Sequence, residues 1–161
     1  MDPKDHLIVA FNHRTDYDAL RTLNNLGNHV DIIKVGEQAV SRGYADKIAG
    51  IAQRRGKRIF WDTKLHDTPD TMAEAATGLA EKGVTWFTVH ASAGKKAIKA
   101  AVANRGNSGV VVVTVLTSYD SLDCRDIYGG RIDEKVLQFA RMALECGAQG
   151  IVSAVAGLSF S

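Results

Sequence analysis

The chain has 161 residues, of which 45% are apolar, and a formal net charge of +2. This composition is typical of one globular domain, which we expect to span 1–161. Lysine and arginine occur without a basic block, which disfavours nucleic-acid binding. No apolar run approaches the roughly 20 residues of a membrane span. The polar start and the two isolated cysteines, Cys124 and Cys146, predict a cytoplasmic protein without structural zinc.

Short apolar runs rich in β-branched residues alternate with longer amphipathic stretches along the chain. Runs of this kind, bounded by turn residues, predict buried parallel strands, and the stretches between them predict helices. Glycines at the ends of the predicted helices support this interpretation, because a helix C-cap favours the left-handed conformation. The predicted strands are Leu7–Phe11, Asp31–Val35, Arg58–Thr63, Trp86–His90, Val110–Leu116 and Gly150–Ala154. The predicted helices are 17–26, 37–54, 70–82, 94–104 and 133–146, with 119–132 as an inserted loop and the capping glycines at Gly27, Gly56, Gly83 and Gly147.

Two folds accommodate such a succession of βα units. A doubly wound open sheet is complete with five or six strands. A TIM barrel has eight strands and typically about 250 residues. Length alone favours the open sheet, whereas the polar residues at the strand ends favour the barrel.

The segment that follows Phe60 concentrates charge at the end of the third predicted strand. Asp62 and Lys64 are two positions apart, so a regular strand directs them to the same face. Asp67 follows where the chain turns into a helix that Pro69 can begin. A lysine between carboxylates stays protonated, which suits a proton donor in a decarboxylation. A solvated, salt-bridged strand end is the alternative interpretation of this triplet.

Polar residues also occur near the ends of the other predicted strands. Taken singly, His90 is typical of a hydrogen-bonded core histidine, and Thr117 or Ser118 of a helix or turn cap. Lys34 is unusual inside an apolar run, because lysine is rarely buried without a partner. Together with Asn12 after the first strand, these residues predict a polar ring at the mouth of a barrel.

The third-strand segment resembles the signature of orotidine 5′-monophosphate decarboxylases, usually D-x-K-x-x-D-I-P-N-T. The resemblance extends in order over nearly the whole chain. It implies an incomplete TIM-type (β/α) barrel of about six parallel strands, equivalent to the N-terminal two-thirds of the family, without strands seven and eight. The matching segments are Leu7–Asn12, Lys34–Gly36, Asp62–Thr71, Thr88–Ser92, Val115–Ser118 and Gly150–Ala154.

The resemblance also implies a function, namely decarboxylation of orotidine 5′-monophosphate to UMP by a homodimer, without metal or cofactor. Lys64 matches the proton donor, and Asp62 the residue that crowds the substrate carboxylate. Asp67 matches an aspartate lent across the dimer interface, and Lys34 a lysine that contacts the ribose. The expected substrate-binding residues are Asn12, Lys34, Asp62, Thr71, Thr117 and Ser118.

One departure from the family pattern concerns the first strand, which normally ends in aspartate where this chain has Asn12. Asparagine keeps the shape and one acceptor but loses the charge, so we expect weaker ribose binding. Two other functions stay open at this point. One is a non-catalytic fragment or assembly module of the same fold. The other is a magnesium-dependent decarboxylase of keto-sugar phosphates, whose motif usually reads D-x-K-x-x-D-A-G.

Overall fold

A computed structural model describes residue 4 and residues 6–154 of the chain. Strands and helices alternate through this part, as the sequence predicts. The strands are β1 (Ile8–Ala10), β2 (Ile32–Gly36), β3 (Arg58–Leu65), β4 (Trp86–His90), β5 (Gly109–Val113) and β6 (Gly150–Val152). The helices are α1 (Asp16–Leu26), α2 (Glu37–Ser41), α3 (Ala45–Arg54), α4 (Pro69–Glu81), α5 (Gly94–Ala103), α6 (Ser121–Tyr128) and α7 (Ile132–Glu145), with a 3₁₀ turn at Ala91–Ala93.

The order of the strands distinguishes the two folds that the sequence left open. All six strands belong to one sheet, in the order β1-β2-β3-β4-β5-β6. A doubly wound sheet reverses its order at a switch point, whereas a (β/α) barrel adds each strand beside the one before it. The uninterrupted order therefore favours the barrel-type winding over the open sheet.

The described residues divide into two compact units. The first comprises the chain up to Thr63 together with Gly83–Phe87. Within it, β1 pairs in parallel with β2 and β2 with β3, and α1 packs against α3. Strand β2 is nearly all apolar and buried, with Ile33 and Val35 fully enclosed. This matches the continuous hydrophobic run that a strand covered on both faces requires.

The second unit comprises Lys64–Lys82 and the described residues from Thr88 onward. Here β5 pairs in parallel with β6, α4 packs against α5, and α7 contacts both α5 and α6. Ala76 of α4 and Ala97 and Ala101 of α5 are small and buried. Alanine at such positions lets neighbouring helices approach closely.

Two predicted elements differ from the structure. The single helix predicted over 37–54 is two helices, because the chain turns at Gly43, whose φ is 74°. Gly43 donates its N–H to the Val40 carbonyl at 2.9 Å, and the N–H of the following Tyr44 donates to the Ala39 carbonyl at 3.1 Å, which together end the helix. Residue Gly43 is thus a C-terminal stop signal of the usual kind.

The other difference is the predicted loop 119–132, which contains helix α6. Asp120 accepts hydrogen bonds from the N–H groups of Leu122 and Asp123, and Asp123 accepts one from the N–H of Asp120. Gly129 then ends the helix in a left-handed conformation. Asp120 and Gly129 are therefore caps of a short helix, and the same residue types also occur in turns.

The glycines predicted to cap helices have the backbone conformation that this role requires. Gly27, Gly56, Gly83 and Gly147 all have positive φ at or next to a helix end. Strand β5 ends at Val113, three residues earlier than the predicted Leu116. Both cysteines are unpaired and buried, and burial raises the pKa of the thiols of Cys124 and Cys146. No helix among residues 6–154 is long and apolar enough to cross a membrane.

Candidate active site

Lys34 and Asp62 form a short ion pair in the first unit. The two side chains come from the neighbouring parallel strands β2 and β3, and Nζ of Lys34 lies 2.9 Å from Oδ2 of Asp62. The Asp62 side chain is only 9% exposed and that of Lys34 31%. A carboxylate with so little exposure remains charged at low cost only when a cation accompanies it. The pair therefore explains how an apolar strand accommodates Lys34.

Asn12 lies just past β1, where the backbone is braced on both sides. The N–H of Phe11 donates to the Lys34 carbonyl at 2.9 Å, which continues the β1–β2 pairing up to Asn12. The Tyr44 hydroxyl donates to the His13 carbonyl at 2.7 Å and accepts from the His13 N–H at 3.2 Å. Asn12 itself is exposed. Sequence reasoning did not identify Tyr44, whose position before α3 carries no signal for such a role.

Lys64 has an unusual backbone conformation. Its φ is 52°, and no other non-glycine residue of the described chain has a positive φ. For an L-residue with a long side chain this region costs about 1–2 kcal/mol. The Lys64 N–H donates to Oγ1 of Thr88 on β4 at 2.9 Å, and Thr88 is completely buried. The candidate proton donor thus occupies a strained position that a buried hydroxyl supports.

Asp67 and Thr71 flank the start of α4 in the second unit. Oδ1 of Asp67 accepts the Thr68 N–H at 2.6 Å, and Pro69 is the first residue of the helix. The hydroxyls of Thr68 and Thr71 are 3.1 Å apart. Both Asp67 and Thr71 are exposed. The turn is therefore ordered by local hydrogen bonds while the Asp67 side chain remains accessible.

Thr117 and Ser118 are exposed in the turn between β5 and α6. Thr117 lines an open cavity of about 920 Å³ within the second unit. Arg125 and Arg131 also line it, and Arg131 makes an ion pair of 2.9 Å with Asp133. The cavity is large enough for a nucleotide-sized ligand.

The predicted site residues fall into both units. Asn12, Lys34 and Asp62 belong to the first unit, where Lys34 and Asp62 are in direct contact. The second unit holds Lys64, Asp67, Thr71, Thr117 and Ser118. Within residue 4 and 6–154, no group of three or more histidine, cysteine, aspartate or glutamate side chains is placed to hold a metal ion.

Comparison with known proteins shows the family of the chain. The sequence model of the orotidine 5′-phosphate decarboxylase / HUMPS family matches residues 5–157. The chain belongs to this family. Its relatives include orotidine 5′-phosphate decarboxylases of Heliobacterium modesticaldum, 37% identical over 95% of this chain and 67% of the relative, and of Rhodopseudomonas palustris strain BisB5, 40% identical over 92% and 63%.

Solved structures of related proteins have the same fold as this chain. The orotidine 5′-phosphate decarboxylase of Lactobacillus acidophilus superposes with a TM-score of 0.81 at 29% identity, over 92% of this chain and 70% of that one. An uncharacterized conserved protein from Geobacillus kaustophilus gives the same TM-score. With the strand order, this confirms the predicted TIM-type (β/α) barrel fold, of which the described residues supply six strands. The chain spans 61–67% of the length of its first three curated relatives.

Proposed function

We propose that this chain decarboxylates orotidine 5′-monophosphate to UMP, with Lys64 as the proton donor and without metal or cofactor. Family membership supports the reaction, since the curated relatives are named orotidine 5′-phosphate decarboxylase. The observation that carries the proposal is the end of β3. Asp62 is buried there as one half of an ion pair, and Lys64 follows in a strained backbone conformation. Strain of this kind is concentrated at functional sites.

In the proposed reaction the bond between C6 of the pyrimidine and its carboxylate breaks. Carbon dioxide leaves, and the bonding electron pair remains on C6. The Lys64 ammonium then transfers a proton to C6, which yields UMP and a neutral amine that solvent reprotonates. A lysine suits this step because its ammonium is a compact charge that holds a proton ready for transfer.

Asp62 is proposed to crowd the departing carboxylate with negative charge. Its contact with Lys34 supports this role, because the ion pair keeps a nearly buried carboxylate ionised before substrate arrives. A charge held in place beforehand costs no reorganisation during the reaction. Lys34 is proposed to contact the ribose as well.

The other predicted residues are proposed to bind the substrate. Thr71, Thr117 and Ser118 are exposed and accessible to a ligand, and Asn12 follows β1, where it contributes polar contacts without a charge. We further propose a cytoplasmic homodimer in which Asp67 acts in the site of the partner subunit. The exposure of the Asp67 side chain at the start of α4 supports that role.

The test is the turnover of orotidine 5′-monophosphate by the purified 161-residue chain and by its Lys64→Ala variant. We expect Lys64→Ala to lower kcat at least about 100-fold, the usual scale for a general acid, while UMP still binds. Lys96→Ala is the matched control, because Lys96 is an exposed lysine on α5 outside the predicted site.

Other outcomes of that measurement would overturn the proposal. Full activity in Lys64→Ala would remove Lys64 from the chemistry. UMP binding without turnover in the parent chain would favour a non-catalytic module of the same fold. Magnesium-dependent turnover of a keto-sugar phosphate, with none of orotidine 5′-monophosphate, would favour the other decarboxylase class.

A further inference from the structure

The backbone conformation of Lys64 requires support from its surroundings. Lys64 lies within β3, yet its φ of 52° is far from the extended values of a strand. Residues with long side chains persist in the left-handed region only where the surroundings determine the conformation. A contact with a neighbouring strand can supply that constraint.

Strand β4 supplies that contact through Thr88. Oγ1 of Thr88 accepts the Lys64 N–H at 2.9 Å, a side-chain acceptor in a position where a strand ordinarily offers a backbone carbonyl. Thr88 is 0% exposed, so water does not replace the hydroxyl as an acceptor. An aliphatic residue of the same shape at position 88 would remove this bond. A shift of Lys64 toward an extended conformation would break it as well.

A second contact from the same strand lies beyond Lys64. The ring of His90 meets that of His66 edge to face, with centroids 5.6 Å apart and planes at 73°. Edge-to-face geometry is one of the favoured arrangements of two aromatic rings. Strand β4 therefore contacts the backbone of Lys64 through Thr88 and the side chain of His66, two residues later, through His90.

We propose that Thr88 is a positioning residue of the decarboxylation, acting through the Lys64 backbone rather than on the substrate. The inference rests on the proposed role of Lys64 as proton donor. Loss of the Thr88 hydroxyl frees the Lys64 N–H, and the backbone relaxes toward the extended region. Such a change redirects the side chain, so the ammonium no longer lies where C6 of the substrate is protonated.

The experiment compares Thr88→Val, which removes the hydroxyl at nearly constant shape, with Thr88→Ser, which retains it. Thr114→Val is the matched control. Thr114 is also completely buried in the second unit, and its hydroxyl donates to the Val152 carbonyl at 2.9 Å instead. Two experiments are made on the 161-residue chain. NMR with [¹⁵N]lysine measures hydrogen exchange of the Lys64 amide, and steady-state kinetics measures kcat and KM for orotidine 5′-monophosphate.

We expect Thr88→Val to accelerate exchange of the Lys64 amide about 10-fold or more beyond any change in global stability. We expect its kcat to fall about 10- to 100-fold with KM nearly unchanged, the scale of a misplaced catalytic group. Thr88→Ser should restore both quantities to within about 3-fold of the parent. Thr114→Val should lower stability but leave the Lys64 amide and kcat unchanged.

The positioning role is overturned if Thr88→Val leaves Lys64 amide exchange unchanged, or if Thr114→Val alters that amide and kcat as much as Thr88→Val does. Failure of the proposed function is a separate result, namely retained turnover in Lys64→Ala. The amide measurement requires no activity, so it decides the Thr88–Lys64 contact even in a chain that does not turn over.

Discussion

At the scale of single residues, Lys34 shows how one charge constrains a strand. It lies between Ile33 and Val35, which are fully buried, and its ammonium reaches Asp62 at 2.9 Å. The partner makes the position tolerable, because burying an ionised group without a partner costs on the order of several kcal/mol. The contact therefore stabilises the β2–β3 pair and keeps the Asp62 carboxylate charged.

We predict that Lys34→Met lowers the free energy of unfolding by about 1–3 kcal/mol, because the nearly buried Asp62 carboxylate loses the ammonium that lies 2.9 Å away. The loss is below that of a wholly enclosed pair, since 31% of the Lys34 side chain is exposed. Urea denaturation measures the loss. Lys47→Met is the control, because Lys47 pairs with Asp16 at 2.6 Å on the open surface and should cause no measurable loss. Equal losses in the two variants would contradict the prediction.

Other single residues show the limits of sequence reasoning about the site. Lys34 could be predicted as a site residue, because a lysine in an apolar run is rare. Thr88 and Tyr44 were not predicted as site residues, because threonine in a strand and tyrosine before a helix are common. Their importance comes from the atoms they contact, namely the Lys64 N–H and the His13 backbone.

At the scale of elements, Lys57 joins the end of α1 to the start of β2. It immediately precedes β3, is 7% exposed, and donates from Nζ to the carbonyls of Gly27 and Val30, each at 2.6 Å. Carbonyls after a helix end lack intrahelical donors, so a buried ammonium satisfies groups that would otherwise be unpaired. The turn between α1 and β2 thus depends on a residue from a later element.

We predict that Lys57→Met lowers the free energy of unfolding by about 2–4 kcal/mol, since two charge-assisted hydrogen bonds are lost. Urea denaturation again provides the measurement. Lys96→Met, at an exposed position of α5, is the matched control and should change stability little. A Lys57→Met variant as stable as the control would show that solvent can satisfy the two carbonyls.

Prediction of the elements succeeded over most of the described chain. All six strands and four of the five predicted helices occur near their predicted places. The helix predicted over 37–54 and the loop predicted over 119–132 were wrong because short helices have little periodicity of their own. Their boundaries depended on Gly43 and Asp120, whose residue types occur in turns as well as in caps.

At the scale of the whole molecule, the proposed homodimer gives a complementation test. If Asp67 acts in the site of the partner subunit, a dimer of one Lys64→Ala chain and one Asp67→Ala chain contains one intact site. We predict that co-expression of these two inactive variants restores about one quarter of the parent activity, as random pairing in a symmetric dimer requires.

The control for this measurement is co-expression of Lys64→Ala with Asp62→Ala. Both changes then affect residues that the proposal assigns to the same subunit. Each site of the mixed dimer then lacks either Asp62 or Lys64, so we expect no recovery of activity. Activity that fails to return with Asp67→Ala would place Asp67 in the site of its own chain, or show that the chain is not a dimer.

The sequence by itself determined the alternation of strands and helices, the family, and the residue types available to the candidate site. These features depend on local patterns, such as hydrophobic periodicity, turn residues and the order of motifs, which survive without tertiary contacts. The strand-end residues Asn12, Lys34, Asp62, Lys64 and Asp67 were recognisable in this way.

Only the tertiary structure decided which groups distant in sequence contact each other. The Thr88–Lys64 bond joins positions 24 apart in sequence, the Tyr44–His13 bond positions 31 apart, and the Lys57 contacts positions 30 and 27 apart. The left-handed backbone of Lys64 belongs to the same class, because no local preference of lysine favours it. Contacts between distant positions compensate its cost, and such contacts exist only once the strands are side by side.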